Sequence, residues 1–426
     1  MSHFGVVAPA FYSHFQVFNA LATELLDRGH QVTFFQQADA QGWLKDSRIG
    51  FHPLGATSHP PGTLEPSLRR AACSNNPLGI RRVIQDMCLT TTMLSDELPD
   101  ALASENVDAL LCDQMEAAGG LVAEALGIDY VSVACALPVN REPDLPLPVM
   151  PFSYGTDDRS RRIYRGSQQV YDWLMRPLRG TVRDACRRLA IGPRDGLQDC
   201  LSPFAQLSQT VPAFDLPRRH LPGHFHSVGP MRSPAKFEPA HWPIASDRPF
   251  VFASLGTLQG GRLGIFQQIC AACRCIDAQL LVAHCGALNR MQEVSLLKLG
   301  ANWVTDFAPQ RWALERANVV VTHGGLNTVM DSIIAGTPML VMPIAFDQPG
   351  IAARVTYRGL GEQLHYRSNA TKIQASLERL LDHPINPLLQ INAQLATAGG
   401  VTRASNIIER VVRTHSPVVA ELNHDI

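Results

Sequence analysis

Short apolar runs alternate with amphipathic stretches along the first half of the chain. The pattern predicts strands at Phe4 to Ala8, Gln31 to Phe35, Ala109 to Cys112 and Tyr130 to Cys135, with helices at Phe15 to Arg28 and Glu116 to Leu126. Strands that alternate with helices imply a parallel sheet with right-handed crossovers. The first half is therefore predicted to be a Rossmann-like domain.

The second half repeats this alternation after a break. The predicted strands are Phe250 to Ser254, Gln279 to Ala283, Trp303 to Thr305, Val319 to Val321 and Met339 to Met342, and a final helix is predicted at Thr402 to Arg413. A stretch rich in proline, serine and charge separates the halves, as expected of a linker. We predict an α/β protein with an amino-terminal domain at 1–230, a linker at 231–248, a second Rossmann-like domain at 249–400, and a helix and tail at 401–426.

Composition supports an ordinary soluble protein of two domains. The chain has 426 residues, which exceeds the size at which one hydrophobic core keeps growing. Hydrophobic residues make up 46% and charged residues 18%, and the net charge of −1 gives no reason to expect a nucleic-acid partner. The amino terminus lacks the pattern of a signal peptide, and no uncharged apolar run is long enough to span a membrane. We expect a cytoplasmic protein.

Two segments leave room for more than one interpretation. The stretch from Arg159 to Ala190 carries nine arginines among apolar residues at mixed helical spacing. It is either a solvated basic face over a packed apolar one or a peripheral contact with the inner face of a membrane. Cys270, Cys273 and Cys275 resemble part of a zinc motif, but no second pair of cysteines completes it, so we interpret them as buried, reduced thiols.

The stretch from Phe307 to Gln348 has the most distinctive organisation. A buried strand is followed by Thr322-His323-Gly324-Gly325, then by a helical pattern from Leu326 to Ala335, a second strand, and Asp347-Gln348. The polar residues of such a unit gather at the carboxyl ends of the strands, where open α/β sheets bind ligands. Glycines let the backbone approach a ligand, and the free N–H groups of the next helix suit an anion. The stretch predicts a diphosphate site.

Other nucleotide and hydrolase motifs are weaker. The chain contains no Gly-x-Gly-x-x-Gly, which argues against a nicotinamide cofactor. The segment Phe252-Ala253-Ser254-Leu255-Gly256 resembles a hydrolase nucleophile elbow that lacks its first glycine. A Ser254-dependent hydrolase therefore remains an alternative. Its partners would come from Asp331 or Asp347 and from His365 or His383.

The central stretch resembles the UDP-sugar-dependent glycosyltransferases with a GT-B fold. Their carboxyl-terminal signature, roughly W-x-P-Q, T-H-C-G-W-N-S-x-x-E, G-x-P and D-Q, is matched in spacing by Phe307 to Gln310, Thr322 to Asp331, Gly336 to Pro338 and Asp347-Gln348. The resemblance extends to Pro9 to His14 and to Ser254 to Thr257, so it covers both halves. It implies two Rossmann-like doubly wound domains that face a central cleft.

The resemblance also implies the roles of the donor-site residues. Phe307 would stack on uracil, Ala308 would bond the base, and Gln310 and Asp331 would face the ribose. The phosphates would be bound by His323, Gly325, Asn327 and Thr328, with the turn formed by Ser254, Gly256 and Thr257. Asp347 and Gln348 would hold the sugar, and the final glutamine favours UDP-glucose. Two residues depart from the signature: Phe307 replaces tryptophan, and Asp331 replaces a longer glutamate.

Catalytic residues are expected from the amino-terminal domain. His14, in the loop after the first strand, matches the catalytic histidine of the family, and Asp113, directly after a later strand, matches its acidic partner. An aliphatic hydroxyl is too weakly acidic to attack unaided, so a histidine polarised by a carboxylate is a suitable general base. The implied reaction is inverting, with UDP-glucose as co-substrate and no bound cofactor. No Asp-x-Asp occurs, and we predict no metal.

The acceptor is expected to be a lipophilic alcohol. The segments that form the acceptor pocket in the family, here His52 to Leu98 and Pro138 to Arg219, are rich in Pro, Leu, Met and Arg. The stretches Phe11 to His14 and Ile49 to His52 are most similar to bacterial members that glucosylate carotenoid diols such as zeaxanthin. A macrolide, flavonoid or sterol acceptor is the alternative within the family, and a non-catalytic nucleotide-sugar-binding protein is the alternative outside it. No obligate protein partner is evident.

Overall fold

Two parallel sheets form the framework of the chain. The computed structural model describes residues 1–74, 76–233, 242–382 and 386–420, with the side chains of 386–390 excepted. The predicted linker at 231–248 therefore lies partly outside the described residues, since 234–241 are not among them. The same holds for His383 and for residues 421–426 of the predicted tail.

The amino-terminal sheet has seven strands in the described residues, all paired in parallel, in the order β3-β2-β1-β4-β5-β6-β7. Its strands and helices are β1 (His3–Val7), α1 (Tyr12–Asp27), β2 (Gln31–Gln37), β3 (Gly50–Leu54), α2 (Leu64–Ala72), α3 (Pro77–Glu105), β4 (Ala109–Asp113), α4 (Ala117–Leu126), β5 (Asp129–Ala134), α5 (Asp158–Leu174), α6 (Arg176–Arg188), β6 (Gln206–Ser208) and β7 (Phe225–Ser227). Between β5 and α5 the chain has no helix or strand, as five prolines in fourteen residues predict.

The second sheet has six strands in the described residues, also all parallel, in the order β10-β9-β8-β11-β12-β13. Its elements are β8 (Phe250–Ser254), α7 (Gly256–Gln259), α8 (Leu263–Cys275), β9 (Gln279–Ala283), α9 (Arg290–Leu299), β10 (Trp303–Thr305), α10 (Gln310–Arg316), β11 (Val319–Thr322), α11 (Leu326–Ala335), β12 (Met339–Val341), α12 (Gln348–Tyr357), β13 (Gly361–Gln363), α13 (Ala370–Asp382), α14 (Asn386–Thr397) and α15 (Gly400–Thr414). The predicted fold class, two parallel-sheet Rossmann-like domains, is confirmed.

Helix α1 begins earlier than its apolar pattern predicts. Its first residue is Tyr12, with Phe11 as N-cap and no side-chain cap, whereas the apolar spacing begins only at Phe15. The prediction that His14 lies in a loop before the helix was therefore wrong: His14 is in the first turn of α1. The 29-residue helix α3 was not predicted either. Its apolar residues serve two separate contacts, so no single helical stripe marks it.

The last helix returns to the amino-terminal domain. Ala404, Ile408 and Val411 of α15 are buried in the same core as Phe18 and Leu21 of α1. The following residues are also held, because the backbone N–H of Val418 donates to the carbonyl of Phe204 and that of Ala420 to Gly223. This part of the predicted tail is therefore tied to the amino-terminal domain.

The chain passes twice between the domains, and both passages lie side by side. The backbone N–H of Gly400 donates to the carbonyl of Val228 at 2.8 Å. Gly229 has a φ of +74°, and a Cβ on it would lie 2.8 Å from the Cβ of Ala398. A side chain at Gly229 would therefore be strained by its backbone and would crowd the second passage.

A buried ion pair fastens the two domains near these passages. The guanidinium of Arg354, on α12, donates to Oδ1 of Asp215 at 2.6 Å, and Arg218 donates to Oδ2 of the same carboxylate at 2.6 Å. Arg354 and Asp215 are both buried. Nearby, the backbone N–H of Gly350 donates to the carbonyl of Pro148, so the proline-rich loop of the amino-terminal domain also rests on α12.

All ten cysteines are free thiols. Cys270 and Cys273 belong to α8 and are buried in the core, as predicted. Cys275, the last residue of α8, is exposed, so the prediction of a buried thiol was wrong for this residue. In the described ranges, no helix is both long and apolar enough to cross a bilayer.

Candidate active site

A cleft of about 1150 Å³ lies between the two domains, at the carboxyl ends of their strands. Every predicted site residue except Asp113 lines it. These residues are His14, Ser254, Gly256, Thr257, Phe307, Ala308, Gln310, His323, Gly325, Asn327, Thr328, Asp331, Asp347 and Gln348. The structure thus brings together residues from two domains that sequence reasoning assigned to one site.

His14 and Asp113 form a hydrogen-bonded pair at the amino-terminal wall of the cleft. Nδ1 of His14 lies 2.6 Å from Oδ2 of Asp113, whose side chain is fully buried. The other oxygen, Oδ1, accepts the backbone N–H of Met115 at 2.8 Å. Asp113 ends β4, and α1 follows β1, its neighbour in the sheet, which explains how residues so distant in sequence meet. With Nδ1–H donated to the carboxylate, Nε2 of His14 is the basic nitrogen.

Carboxylates around His14 favour its protonated form. Burial lowers the pKa of the imidazole, but the charge and hydrogen bond of Asp113, with a smaller contribution from Asp347, outweigh burial and raise the pKa above its ordinary value of 6.5. Asp347 belongs to the second domain, and its Oδ2 accepts the backbone N–H of Leu137 from the first. The surroundings of His14 therefore come from both domains.

A polar network occupies the carboxyl-terminal wall near α11. Nε2 of Gln310 donates to Oδ2 of Asp331 at 2.8 Å, and the hydroxyl of Thr328 donates to Oε1 of Gln310 at 3.3 Å. Asn327 reaches the opposite domain, because its Nδ2 donates to the carbonyl of Ser13 at 3.2 Å. The first turn of α11 is thus tied directly to the first turn of α1, which carries His14.

His323 lies between two glycines at the end of β11. A Cβ on Gly325 would come within 2.6 Å of Nε2 of His323, and a Cβ on Gly256 within 2.7 Å of its Cε1. Any side chain at either glycine would displace the ring. Burial lowers the pKa of His323 to about 4, against a hydrogen bond to the backbone of Ser254 that raises it. The ring is therefore neutral at physiological pH and adds no charge to the cleft, and its single N–H is used by the backbone of Ser254.

Phe307 and Gln348 both lie on the carboxyl-terminal wall of the cleft. The ring of Phe307 is 61% exposed at the cleft, and it stacks on no other ring of the described chain. Ala308 is partly buried against the core beside it. Gln348 is buried, and its Oε1 accepts the backbone N–H groups of Ile344 and Ala345, both at 2.8 Å. Its amide orientation is thus fixed, which leaves Nε2 as the group available to a ligand.

Ser254 is not arranged as a hydrolase nucleophile. It is the buried last residue of β8 and pairs in register with Ala283 and Thr322, so it is not on a sharp exposed turn. Its hydroxyl accepts the backbone N–H of Gly256 at 3.4 Å. His365 stacks on Tyr366, and its Nδ1 accepts the backbone N–H of Arg367. The Ser254-dependent alternative has no support in the described residues.

Three cleft residues escaped sequence reasoning. Arg232 hydrogen-bonds Asp331 but lies in the predicted linker, where no motif marks it. Phe346 has a φ of +57°, a strained value for a bulky residue, and faces Phe11 of the other domain at 6.2 Å between ring centroids. Burial raises the pKa of Glu116 to about 7, although its carboxylate accepts hydrogen bonds from the backbone N–H of Ala118 and from the hydroxyl of Thr91. The sequence predicted that Glu116 begins a helix. A carboxylate next to an apolar run was the one sign that it is buried near the cleft.

Two groups of potential metal ligands occur among the described residues, and in each the histidine hydrogen-bonds a protein group through Nδ1. In the first, burial raises the pKa of Cys135 well above its usual range, so the thiol beside His14 and Asp113 stays protonated. In the second, Nδ1 of His284 accepts the backbone N–H of Leu288, so Nε2 carries the proton that faces Glu293 and Asp306. Metal-bound histidines normally donate from their second nitrogen, which His284 cannot do.

Comparisons with known proteins agree with this arrangement. Residues 248–388 match the model of the family described as UDP-glucoronosyl and UDP-glucosyl transferase. The chain is 46% identical to the zeaxanthin glucosyltransferase of Pantoea ananas, over 99% of this chain and 98% of that protein. It is 43% identical to the zeaxanthin glucosyltransferase of Pseudescherichia vulneris, over 97% and 98%.

Solved structures share the whole architecture. The glycotransferase of kitacinnamycin superposes with a TM-score of 0.75 and 19% identity, over 96% of this chain and 99% of that chain. At this identity the likeness concerns the fold, and it extends across both domains and the cleft between them. The family match and the two full-length relatives decide the assignment: the chain belongs to the UDP-glucoronosyl and UDP-glucosyl transferase family and is a glycosyltransferase.

Proposed function

We propose that this enzyme transfers glucose from UDP-glucose to the ring hydroxyls of zeaxanthin, with inversion at the anomeric carbon and without a metal ion. The observation that carries the proposal is the full-length identity of 46% and 43% to two proteins named zeaxanthin glucosyltransferase. The pair of His14 and Asp113 at the cleft supports the chemical step, since their nitrogen and oxygen are 2.6 Å apart.

His14 is the proposed general base. Its Nε2 takes the proton of the acceptor hydroxyl while the oxygen forms a bond to the anomeric carbon, and the bond from that carbon to the diphosphate oxygen breaks. The acceptor proton ends on His14, and the electron pair leaves with UDP. Asp113 holds the ring with Nε2 toward the cleft and stabilises the imidazolium that forms. Attack opposite the leaving group converts an α-linked donor into a β-glucoside.

The donor is proposed to lie along the carboxyl-terminal wall. Uracil stacks on Phe307 and bonds the backbone of Ala308, Gln310 and Asp331 face the ribose, and Asp347 and Gln348 hold glucose. The first N–H groups of α11, which has no side-chain cap, stabilise the diphosphate, and the neutral ring of His323 borders it. The phosphate-binding turn at Ser254, Gly256 and Thr257, together with Gly325, Asn327 and Thr328, completes the proposed site. These hydrogen-bond donors are held in place toward the charge that develops on the leaving diphosphate. Such preorganisation supports transfer without a cation.

A labelled-donor assay tests this function. Incubation with UDP-[¹⁴C]glucose and a panel of zeaxanthin, a flavonoid, a sterol and a macrolide should label zeaxanthin, first once and then twice. The proton spectrum of the product should show the β configuration. Treatment with EDTA should leave the rate unchanged, and restoration of a lost rate by Mg²⁺ would contradict the metal-free proposal. Label in the flavonoid alone would reject the acceptor assignment.

We also propose that α5 rests on an anionic membrane surface, where a lipophilic acceptor would be found. The outward face of this helix carries Ile163, Val170 and Trp173, at positions i, i+7 and i+10, and Val170 and Trp173 are 55% and 59% exposed. In the described structure, none of the exposed arginines around them pairs with a carboxylate. These are Arg159, Arg162, Arg165 and Arg176. Exposed aromatic and apolar side chains among unpaired arginines fit an anionic bilayer.

Vesicle binding tests the membrane contact. The protein should sediment with vesicles that contain phosphatidylglycerol and not with pure phosphatidylcholine. Each arginine near an anionic surface contributes about 1 kcal/mol, so Arg162→Gln with Arg165→Gln should weaken binding about 30-fold. Arg290→Gln, an exposed change on α9 of the other domain, is the control and should leave binding unchanged. Equal loss in both variants, or equal binding to neutral vesicles, would refute the contact.

A further inference from the structure

Arg232 is held tightly beside the proposed ribose site. Its Nε donates to Oδ1 of Asp331 at 3.1 Å, its Nη2 donates to the carbonyl of Asn327 at 3.2 Å, and its Nη1 donates to Oε1 of Gln209 at 2.5 Å and to the carbonyl of Met231 at 3.1 Å. A guanidinium has five N–H groups, and these bonds use four of them. Among the residues that the structure describes, no acceptor takes the second N–H on Nη2, which remains for a ligand.

The guanidinium is accessible from the cleft. The side chain of Arg232 is 17% exposed, and the residue is part of the cleft wall together with Asp331 and Asn327. Its bonds join three parts of the molecule: the segment after β6, the passage between the domains, and the first turns of α11. The position of the remaining N–H is therefore fixed by protein contacts on several sides.

Asp331 is fixed by the same contacts. Arg232 occupies one lone pair of Oδ1, and Gln310 donates to Oδ2 at 2.8 Å. Each carboxylate oxygen accepts two hydrogen bonds, so Asp331 keeps free acceptor sites although it is nearly buried. Asp331 is also one methylene shorter than the glutamate of the family signature. A charged partner that orients it would offset this lost reach.

We infer that Arg232 and Asp331 together recognise one ribose hydroxyl of the donor. A hydroxyl is one donor and two acceptors, so it can donate to Asp331 and accept the remaining N–H of Arg232 at once. A deoxyribose that lacks this hydroxyl leaves one N–H of Arg232 and one acceptor site of Asp331 without a partner in a nearly buried site, which is unfavourable. Arg232 is thus a specificity residue for ribonucleotide over deoxyribonucleotide donors. The inference rests on the proposed ribose site of Gln310 and Asp331.

Another arginine of the cleft offers a comparison. Arg311, on α10, also lines the carboxyl-terminal wall, and among the described residues it makes no hydrogen bond to Asp331. If a positive charge near the nucleotide were sufficient, the two arginines would be equivalent. The geometry of the pair requires that only Arg232 affects recognition of the hydroxyl.

Calorimetric titration of UDP, 2′-deoxy-UDP and 3′-deoxy-UDP tests the inference. The wild-type protein should bind one of the deoxy analogues about 10–100-fold more weakly than UDP, as expected when a hydrogen bond to charged groups is lost. Arg232→Gln should lower UDP affinity and reduce the ratio between UDP and that analogue, because only Asp331 then contacts the hydroxyl. Arg232→Lys should restore part of the ratio, and Arg311→Gln should keep it whole.

The outcomes separate this inference from the proposed function. Failure of UDP to bind the wild-type protein would reject the donor site itself. If the affinity of UDP relative to each deoxy analogue is the same in Arg232→Gln as in the wild type, the proposed role of Arg232 is rejected. The donor site itself would still stand. A purely structural role would lower affinity for all three nucleotides equally and would also overturn the inference.

Discussion

Replacing His14 with alanine should lower kcat by about 10²–10⁴-fold, the usual contribution of a positioned general base. The affinity for UDP should stay within about threefold, because the proposed donor residues belong to the other domain and none relies on the imidazole. Single-turnover assays with labelled UDP-glucose measure the first quantity, and calorimetry with UDP measures the second. Ser13→Ala is the matched control: it keeps the backbone carbonyl that Asn327 uses and should change kcat little.

The pH profile distinguishes a base from a structural histidine. In the wild type, kcat/KM should rise with pH through a pKa above 6.5, since His14 acts only when deprotonated and its pKa is raised. Asp113→Asn removes the main interaction that raises this pKa while burial persists, so the acid limb should move to lower pH as the rate falls. An acid limb that does not move in Asp113→Asn would assign the titration to another group.

Replacing Asp215 with alanine should destabilise the protein by about 3–5 kcal/mol, the cost of leaving a buried charge without its partner. The unpaired charge would be Arg354, which is almost fully buried on α12, while Asp215 lies in the other domain. Neighbouring Arg218 would lose its partner as well. Urea denaturation followed by tryptophan fluorescence and circular dichroism measures the change, and both signals are needed because the domains can unfold separately.

A surface pair provides the control for Asp215. Asp96 bonds Arg188, and both side chains are about half exposed, so Asp96→Ala should cost less than about 1 kcal/mol. The double change Asp215→Leu with Arg354→Met should recover much of the lost stability, because apolar residues of similar volume often replace a buried pair without loss. Equal effects of Asp215→Ala and Asp96→Ala would show that the interdomain pair contributes no more than a surface contact.

Long apolar strands made the fold predictable from sequence. β4, β5, β8, β9 and β11 are buried runs with clear helical patterns between them, and parallel order followed from that alternation. The short strands β6, β7 and β13 were missed because each contains at most one apolar residue, whereas the equally short β10 and β12 contain two and three. The start of α1 was missed because Tyr12, Ser13 and His14 face the cleft rather than the core, so they do not follow the apolar pattern.

Some residues of the candidate site could likewise be predicted from the sequence, and others could not. Residues that end strands, such as His323 and Asp113, could be located, because the ends of parallel strands meet at one edge of a sheet. Arg232 could not, since its partners come from three separate segments and only the folded chain brings them together. The backbone strain of Phe346 depends on φ, which no residue type at that position indicates. The assigned roles of the donor residues stay predictions.

The paired passages at Val228 and Gly400 limit how this enzyme can be recombined with its relatives. A chimera with one crossover near residue 230 would join an amino-terminal half to a foreign α15, whose apolar side chains must fit the core around Phe18 and Leu21. The two passages are in contact, with 2.8 Å between the nitrogen of Gly400 and the oxygen of Val228. Two crossovers, one at each passage, would therefore lie next to each other in the folded protein. A graft of the donor half should therefore span the segment between them and retain the native α15.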